Sequence, residues 1–263
     1  MKAPEISVVL PCFNELPNLP ELRRRLVSVL EATGRSFEIV FVDDGSRDGS
    51  FEEMAAYAAE DPRLRAIRLS RNFGHQMALT AGVDRARGRL VAVMDADLQD
   101  PPELLPEMLA KCAEGYEVVY AKRTAREGES AFKRATAHLF YRLMRRWTNV
   151  DIPVDTGDFR LLGPRAVAAF RSLRERHRFI RGMTAWVGFR QTGVSYVRPA
   201  RQRGETKYPL RKMVRFALDA LTSFSHVPLQ LGTWLGFAVS LFAFLYIVVV
   251  LVLEVLGINE RGW

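Results

Sequence analysis

Apolar residues fall along the first part of this chain in short, nearly unbroken runs. Ile6-Ser-Val-Val-Leu-Pro11, Phe37-Glu-Ile-Val-Phe-Val42, Leu64 to Leu69, 90–94 and 117–121 all have strand length. Between the runs the spacing turns helical: Leu19, Leu22, Leu26 and Leu30 mark one buried face. Helix starts are expected at Asn18-Leu-Pro-Glu21, with asparagine as the cap and glutamate three residues on, and at Ser50-Phe-Glu-Glu53. Further helices are expected near 75–87 and at 101–113. Solidly apolar strands, each followed by a helix, predict an α/β fold: a Rossmann-like, mostly parallel central sheet with helices on both faces.

Past residue 121 the pattern changes. Residues 130–147 form an amphipathic repeat, with Phe132, Ala135, Leu139, Leu143 and Trp147 on one side and Lys133, Arg134, Arg142, Arg145 and Arg146 around the rest. This fits equally a surface helix with a solvated basic face and a helix meeting a membrane or an acceptor phosphate. Pro153-Val-Asp155-Thr-Gly-Asp158-Phe-Arg160 reads as a loop running into a strand, and as a second half of a site. A helix over 178–188 and a strand from Thr192 to Val197 follow. The stretch 198–207 is a basic, glycine-containing loop able to wrap a phosphate; a solvated linker is the alternative, and the position just before an apolar block favours the phosphate. Residues 208–225 read as an interfacial helix with basic flanks.

Val227 to Leu253 contains no charged residue. At 1.5 Å per residue it would extend roughly 40 Å, more than the approximately 30 Å hydrocarbon core, and it reads as a transmembrane helix. Positive charge crowds its N-terminal flank, so that flank and the preceding domain are expected on the cytoplasmic side of the inner membrane. The expected organisation is a catalytic domain over 1–200, a basic loop and juxtamembrane helix over 201–226, a membrane helix over 227–256 and a short tail over 257–263.

Composition narrows the chemistry. The net charge of +8 asks for an anionic partner: nucleic acid, an anionic membrane face or a phosphorylated substrate. No reading motif or aromatic-basic platform appears, so nucleic acid is not expected. The two cysteines, Cys12 and Cys112, are too few and too far apart for a disulfide scaffold or a zinc site, and fit a reducing compartment. The chain enters its first strand at once, so no signal peptide is expected.

The unexplained polar residues sit after strands: Asn14 and Glu15, Asp43 and Asp44, Arg71 and Asn72, Asp95 and Asp97. Ligands of such sheets bind at the carboxyl ends of the strands. In Val91-Ala-Val-Met-Asp95-Ala-Asp97-Leu-Gln99-Asp100-Pro-Pro-Glu103, side-chain alternation would put Asp95 and Asp97 on one side. With the Gln99 amide they form a hard-oxygen set suited to Mg2+ or Mn2+. Turn and cap chemistry is the alternative; it accounts for Asp100 as the cap of the helix opened by Pro-Pro-Glu and leaves Asp95 and Asp97 unexplained. Neither G-x-G-x-x-G nor G-x-x-x-x-G-K occurs, which disfavours a membrane-anchored oxidoreductase and leaves metal plus carboxylates to hold a nucleotide.

Six motifs in order carry a family resemblance: Leu10-Pro-Cys-Phe-Asn-Glu15, Val42-Asp-Asp-Gly-Ser46, Leu69-Ser-Arg-Asn-Phe-Gly74, Asp95-Ala-Asp-Leu-Gln-Asp-Pro-Pro-Glu103, Thr156-Gly-Asp-Phe-Arg160 and Arg201-Gln-Arg-Gly-Glu-Thr-Lys207. With the apolar block behind them, the chain resembles the family 2 glycosyltransferases of the GT-A fold. Within these it is similar to the polyprenyl-phosphate glycosyltransferases, the group of dolichyl-phosphate mannose synthases and bacterial undecaprenyl-phosphate glucosyltransferases. Ser70-Arg-Asn-Phe-Gly74 and Trp186-Val-Gly-Phe-Arg-Gln-Thr192 bring the bacterial branch nearest.

The resemblance implies a nucleotide pocket lined by Pro11, Asn14, Glu15 and Asp44, with Asp44 facing the base and Arg71 nearby. It implies Asp95, Asp97 and Gln99 as metal ligands, Asp158 at the position of the base, and Arg123, Arg134, Arg201 and Lys207 on the acceptor phosphate. The implied reaction is inverting transfer of one sugar, glucose from UDP-glucose, to undecaprenyl phosphate. Mannose or an aminoarabinose donor is the alternative within the class, and a non-catalytic membrane scaffold the alternative outside it. Q-x-x-R-W, expected of processive polysaccharide synthases, does not occur, in keeping with single-sugar transfer. The nearest branch usually carries a second membrane helix where this chain reaches Trp263, so either the sequence is cut short or its homo-oligomer in the membrane differs.

Overall fold

A computed structural model describes residues 3–125, 156–175, 178, 180–197 and 227–257. The elements in chain order are β1 (Ile6–Cys12), α1 (Leu19–Ala32), β2 (Phe37–Asp43), α2 (Ser50–Glu60), β3 (Leu64–Arg68), α3 (His75–Arg85) and β4 (Leu90–Val93). A 3-10 turn (Pro102–Leu104) leads into α4 (Leu105–Ala113). Then come β5 (Val118–Ala125), β6 (Thr156–Leu162), α5 (Pro164–Ser172), α6 (Ile180–Trp186), β7 (Gln191–Val197) and α7 (Val227–Val255). The expected helices at 130–147 and 208–225 and the basic loop at 198–207 lie outside the described residues, and with them Arg134, Arg201 and Lys207.

The strands form one seven-stranded sheet in the order β3-β2-β1-β4-β6-β5-β7. Every neighbouring pair is parallel except those made by β6, which runs against both β4 and β5. The mostly parallel α/β sheet is thus as the apolar runs predict, with one strand reversed.

Strand alternation divides the core between two faces. Ile6, Val8 and Leu10 of β1 join Ile39 and Phe41 of β2 against α1, α2 and α4, through Leu22, Leu26, Met54 and Met108. Val9, Val40 and Val42 point the other way, against Ala78, Leu79 and Val83 of α3 and Val167 and Phe170 of α5. Burial on both sides is why these strands read as continuous apolar runs. Helix α3 lies so close on the sheet that a Cβ at Gly82 would fall 2.2 Å from Val9 Cγ1.

Three expected caps resolve otherwise. Asn18 stands at the N-cap of α1 but makes no capping bond; its Nδ2 donates to Glu15 Oε2 at 2.6 Å. Ser50 is the first residue of α2 rather than its cap, and Asp48 Oδ1 accepts its N–H at 3.0 Å. Asp100 does not cap the helix after it, because its carboxylate is fully buried and turned toward the sheet. Short polar side chains can take any of several nearby partners, and tertiary neighbours decide among them.

Helix α7 is 29 residues long, about 44 Å at 1.5 Å per residue. Within its Leu229–Val255 stretch a run of 18 residues reaches a mean hydropathy of 2.8 and is not buried, so the helix is long and apolar enough to cross a membrane.

Candidate active site

Because β1, β2, β3 and β4 are parallel, their carboxyl ends share one edge of the sheet. The loop after β1 turns at Asn14, which has a φ of 54°; its N–H donates to Ser46 Oγ at 2.9 Å and its Oδ1 accepts the Arg47 N–H at 2.9 Å. Pro11 is buried in β1. Glu15 N–H donates to Ser50 Oγ at 3.0 Å, tying the same loop to the start of α2. At the end of β2, Asp44 accepts the N–H groups of Phe73 at 2.7 Å and Gly74 at 2.9 Å, so it holds the loop after β3. Burial raises the Asp44 carboxyl above its usual range, against these two bonds. Its neighbour Asp43 is wholly buried, and its Oδ2 accepts no hydrogen bond from the described residues. Arg71 is exposed and stacks on Phe73, 4.5 Å from the ring centre.

Strand β4 ends at Val93, so Asp95 and Asp97 stand in an irregular turn beyond the reach of strand alternation. Asp97 is buried, and its Oδ1 accepts the Gln99 N–H at 3.1 Å. Asp95 is the carboxylate of this turn that meets the next strand. In the antiparallel register Val91 pairs with Leu162 and Val93 with Arg160. Continuing it two residues past the strand end sets Asp95 opposite Asp158.

Reversal of β6 is thus what brings Asp158 to the edge: it sits near the beginning of its strand while the other groups follow the ends of theirs. Arg160, also buried, fixes the backbone there, with Nε on Asp158 O at 3.3 Å, Nη2 on Gly157 O at 2.9 Å and Nη1 on the Thr184 hydroxyl.

Between the two carboxylates stands His75, the first residue of α3. Its Nε2 lies 3.2 Å from Asp158 Oδ2 and 3.4 Å from Asp95 Oδ1. Gln76 Nε2 donates to the same Asp158 oxygen at 3.1 Å while its Oε1 accepts the Ile180 N–H at 3.0 Å. Arg181, from α6, donates from Nε to Asp158 Oδ1 at 2.8 Å. Asp158 is therefore held from both sides. Burial disfavours its charge, but the Arg181 guanidinium and the His75 imidazole outweigh that and hold the carboxyl well below the usual range. Burial also works against a charged imidazole at His75; Asp95 and Asp158 override it and push the group up to about 9. Asp95 goes the other way: burial, with Asp100, Asp158 and Asp97 around it, raises its carboxyl despite His75.

This corner gathers carboxylate oxygens. Among the described residues no group hydrogen-bonds to the buried Asp95 Oδ1, whose neighbour is His75 at 3.4 Å, and one atom each of His75, Asp95 and Asp158 lie within 4.8 Å of one another. Hard carboxylate oxygens with an unmatched acceptor fit a divalent cation such as Mg2+ or Mn2+. Of the residues singled out in the sequence, the structure gathers Asp95 and Asp158 into this cluster; Asp97 and Gln99 stand in the same turn outside it. Arg123, on β5, lies with its guanidinium against Gly157.

His75, Gln76 and Arg181 were not singled out, although a histidine opening the helix directly after a strand-end loop was there to be seen. Asp95 and Asp158 can grip a cation here, and His75 can join them once it gives up its proton, while Arg181 and Arg123 bring guanidinium groups beside Asp158 and Gly157.

Residues 7–169, more than half of the chain, match the family model described as Glycosyl transferase family 2. A Bacillus subtilis (strain 168) protein named uncharacterized glycosyltransferase YkcC is 49% identical over 260 residues, covering 98% of this chain and 80% of its own. An Escherichia coli (strain K12) protein named prophage bactoprenol glucosyl transferase homolog is 38% identical, covering 92% of this chain and 79% of its own. Among solved structures, the glucosyl-3-phosphoglycerate synthase of Mycobacterium tuberculosis in complex with Mn2+, UDP-glucose and phosphoglyceric acid superposes with a TM-score of 0.54 at 20% identity. That superposition covers 82% of this chain and 76% of that one, and shows the shared GT-A-like fold.

Proposed function

This chain belongs to glycosyl transferase family 2, and from that premise we propose that it moves one glucose from UDP-glucose to undecaprenyl phosphate at the cytoplasmic face of a membrane. The observation that carries the reading is the Asp95–His75–Asp158 cluster on the sheet edge, in a chain with an apolar helix behind it. The relative named for bactoprenol glucosyl transfer supports the sugar and the lipid. The Mn2+ and UDP-glucose bound together in the mycobacterial synthase support the donor and a metal. The basic flank of the apolar helix supports the cytoplasmic side.

A divalent cation, when bound, neutralises the diphosphate that leaves the sugar. Asp95 would hold it, with Asp158 and a neutral His75 beside it in the cluster and Asp97 and Gln99 in the same turn. The nucleotide lies over Pro11, Asn14, Glu15, Asp44 and Arg71 at the ends of the first three strands. The acceptor is a phosphate monoester whose second pKa is about 6, so it arrives largely ionised at neutral pH. Little proton removal is asked of the protein. Asp158, kept ionised by Arg181 and His75, has low proton affinity and acts as an orienting anion rather than a strong base. Two anionic substrates repel each other, and Arg123 and Arg181 offset that charge, joined by Arg134, Arg201 and Lys207 of the sequence.

The test is one panel: the purified protein in lipid, undecaprenyl phosphate, and labelled UDP-glucose, GDP-mannose and UDP-aminoarabinose, with and without EDTA. Label should reach the lipid from UDP-glucose and stop on chelation. Transfer only from another donor overturns the sugar, undiminished transfer in EDTA overturns the metal, and no transfer from any donor overturns the reading.

A further inference from the structure

The acidic turn after β4 is wired to the far side of the sheet through a residue to which neither the resemblance nor the cluster gives a role. Asp100 is wholly buried. Its Oδ2 faces the backbone N–H of Asp95 at 3.5 Å, and its Oδ1 accepts the hydroxyl of Tyr196 at 2.8 Å. Tyr196, buried on β7, in turn accepts Arg123 Nε at 3.3 Å. One hydroxyl donates to a carboxylate and accepts from a guanidinium, so each bond strengthens the polarity of the other. The link passes over β6, which separates β4 from β5 and β7 in the sheet.

The Arg123 head is also boxed in from beneath. A Cβ at Gly157 would lie 2.6 Å from its Nη2, so the bare Cα beside Asp158 leaves the space the guanidinium fills.

We propose that Tyr196 and Asp100 are positioning residues, which fix the Arg123 guanidinium over Gly157 and tie it to the turn that carries Asp95. The acceptor phosphate then meets an arginine already set in place by the donor-side loop. An arginine ordered at folding does not lose its rotamer freedom on binding, so its acceptor is held more tightly. The inference rests on the reading of Arg123 as a ligand of the acceptor phosphate.

The experiment uses the full chain in nanodiscs and four variants: Tyr196→Phe, Gly157→Ala, Arg123→Ala and the double variant Tyr196→Phe/Arg123→Ala. Tyr196→Phe keeps the ring and removes only the hydroxyl; Gly157→Ala keeps both hydrogen-bonding partners and displaces the guanidinium. Each single change should raise the KM for undecaprenyl phosphate about tenfold, the scale of one hydrogen bond to a charged group, and leave the donor KM within about twofold. The double variant should be no worse than Arg123→Ala. Additive losses, or a fall in kcat and Tm with both KM values unchanged, would show that Tyr196 merely packs the sheet.

A second readout needs no turnover: labelling of Arg123 by phenylglyoxal, followed by mass spectrometry, should quicken several-fold in Tyr196→Phe and in Gly157→Ala. Unchanged labelling overturns the positioning role even if the enzyme proves active. Faster labelling in a protein that transfers nothing to the lipid upholds the positioning and overturns the functional reading instead.

Discussion

Two acidic turns stand on the same edge of the sheet and use their charge differently. After β2, Asp44 gives both oxygens to the backbone N–H groups of Phe73 and Gly74. After β4, Asp95 leaves a buried oxygen without a hydrogen bond from the described residues and points it at His75. The first carboxylate builds a loop, and the second sits in a cluster that could hold a cation. Strand-end position and residue type are alike in the two turns; what separates them is whether backbone donors reach the carboxylate. Asp43 also leaves an oxygen unmatched, with Arg68 3.7 Å away, so an unmatched acceptor that faces a second carboxylate is a better guide to function than an aspartate at a strand end.

That contrast is sharpened most by Asp95→Asn. Transfer should fall about 10³-fold, the scale of losing a group that supports developing charge. Stability should move the other way, because the fold raises the Asp95 carboxyl and so disfavours its charged form. Removing that charge should lift Tm by about 2–4 °C, as for roughly 1 kcal/mol in a domain of this size. A lowered Tm would place Asp95 with Asp44 among the loop builders and break the comparison.

Asp158→Asn should cost stability as well as activity, since it strands the Arg181 and His75 charges in a largely buried corner. A loss of about 3 kcal/mol by denaturant titration is expected; an unchanged midpoint would mean that solvent already screens those charges.

Asp44→Ala should cost about 2 kcal/mol, for two bonds from backbone to carboxylate, and raise the donor KM as the 71–74 loop loosens. A changed donor KM with unaltered stability would instead make Asp44 a base-recognition residue first.

The sheet was legible because burial on both faces turns strands into apolar runs, as in Phe37 to Val42. The edge loops were legible for the same reason: polar groups that break such runs need an explanation. Strand direction leaves no mark on an apolar run, so the reversal of β6 was hidden. Helix α5 was also missed, although Pro164 at its start and the Ala166, Val167 and Phe170 face were readable. The partners of the site were hidden by distance along the chain. His75 reaches Asp158 across 83 residues, Arg181 across 23, and Tyr196 reaches Asp100 across 96. Caps failed at Asn18, Ser50 and Asp100 because local rules cannot weigh a tertiary competitor.

The counter-running strand makes the corner intolerant of slippage. Side chains along β6 change face at every step, with Phe159 in the core and Asp158 at the cation corner. A one-residue deletion ahead of Asp158 that the strand absorbed by sliding would swap a carboxylate for a benzyl ring and turn Arg160 away from the carbonyls it grips. Length variation in this enzyme should therefore be tolerated in its surface connections and forbidden between Thr156 and Leu162.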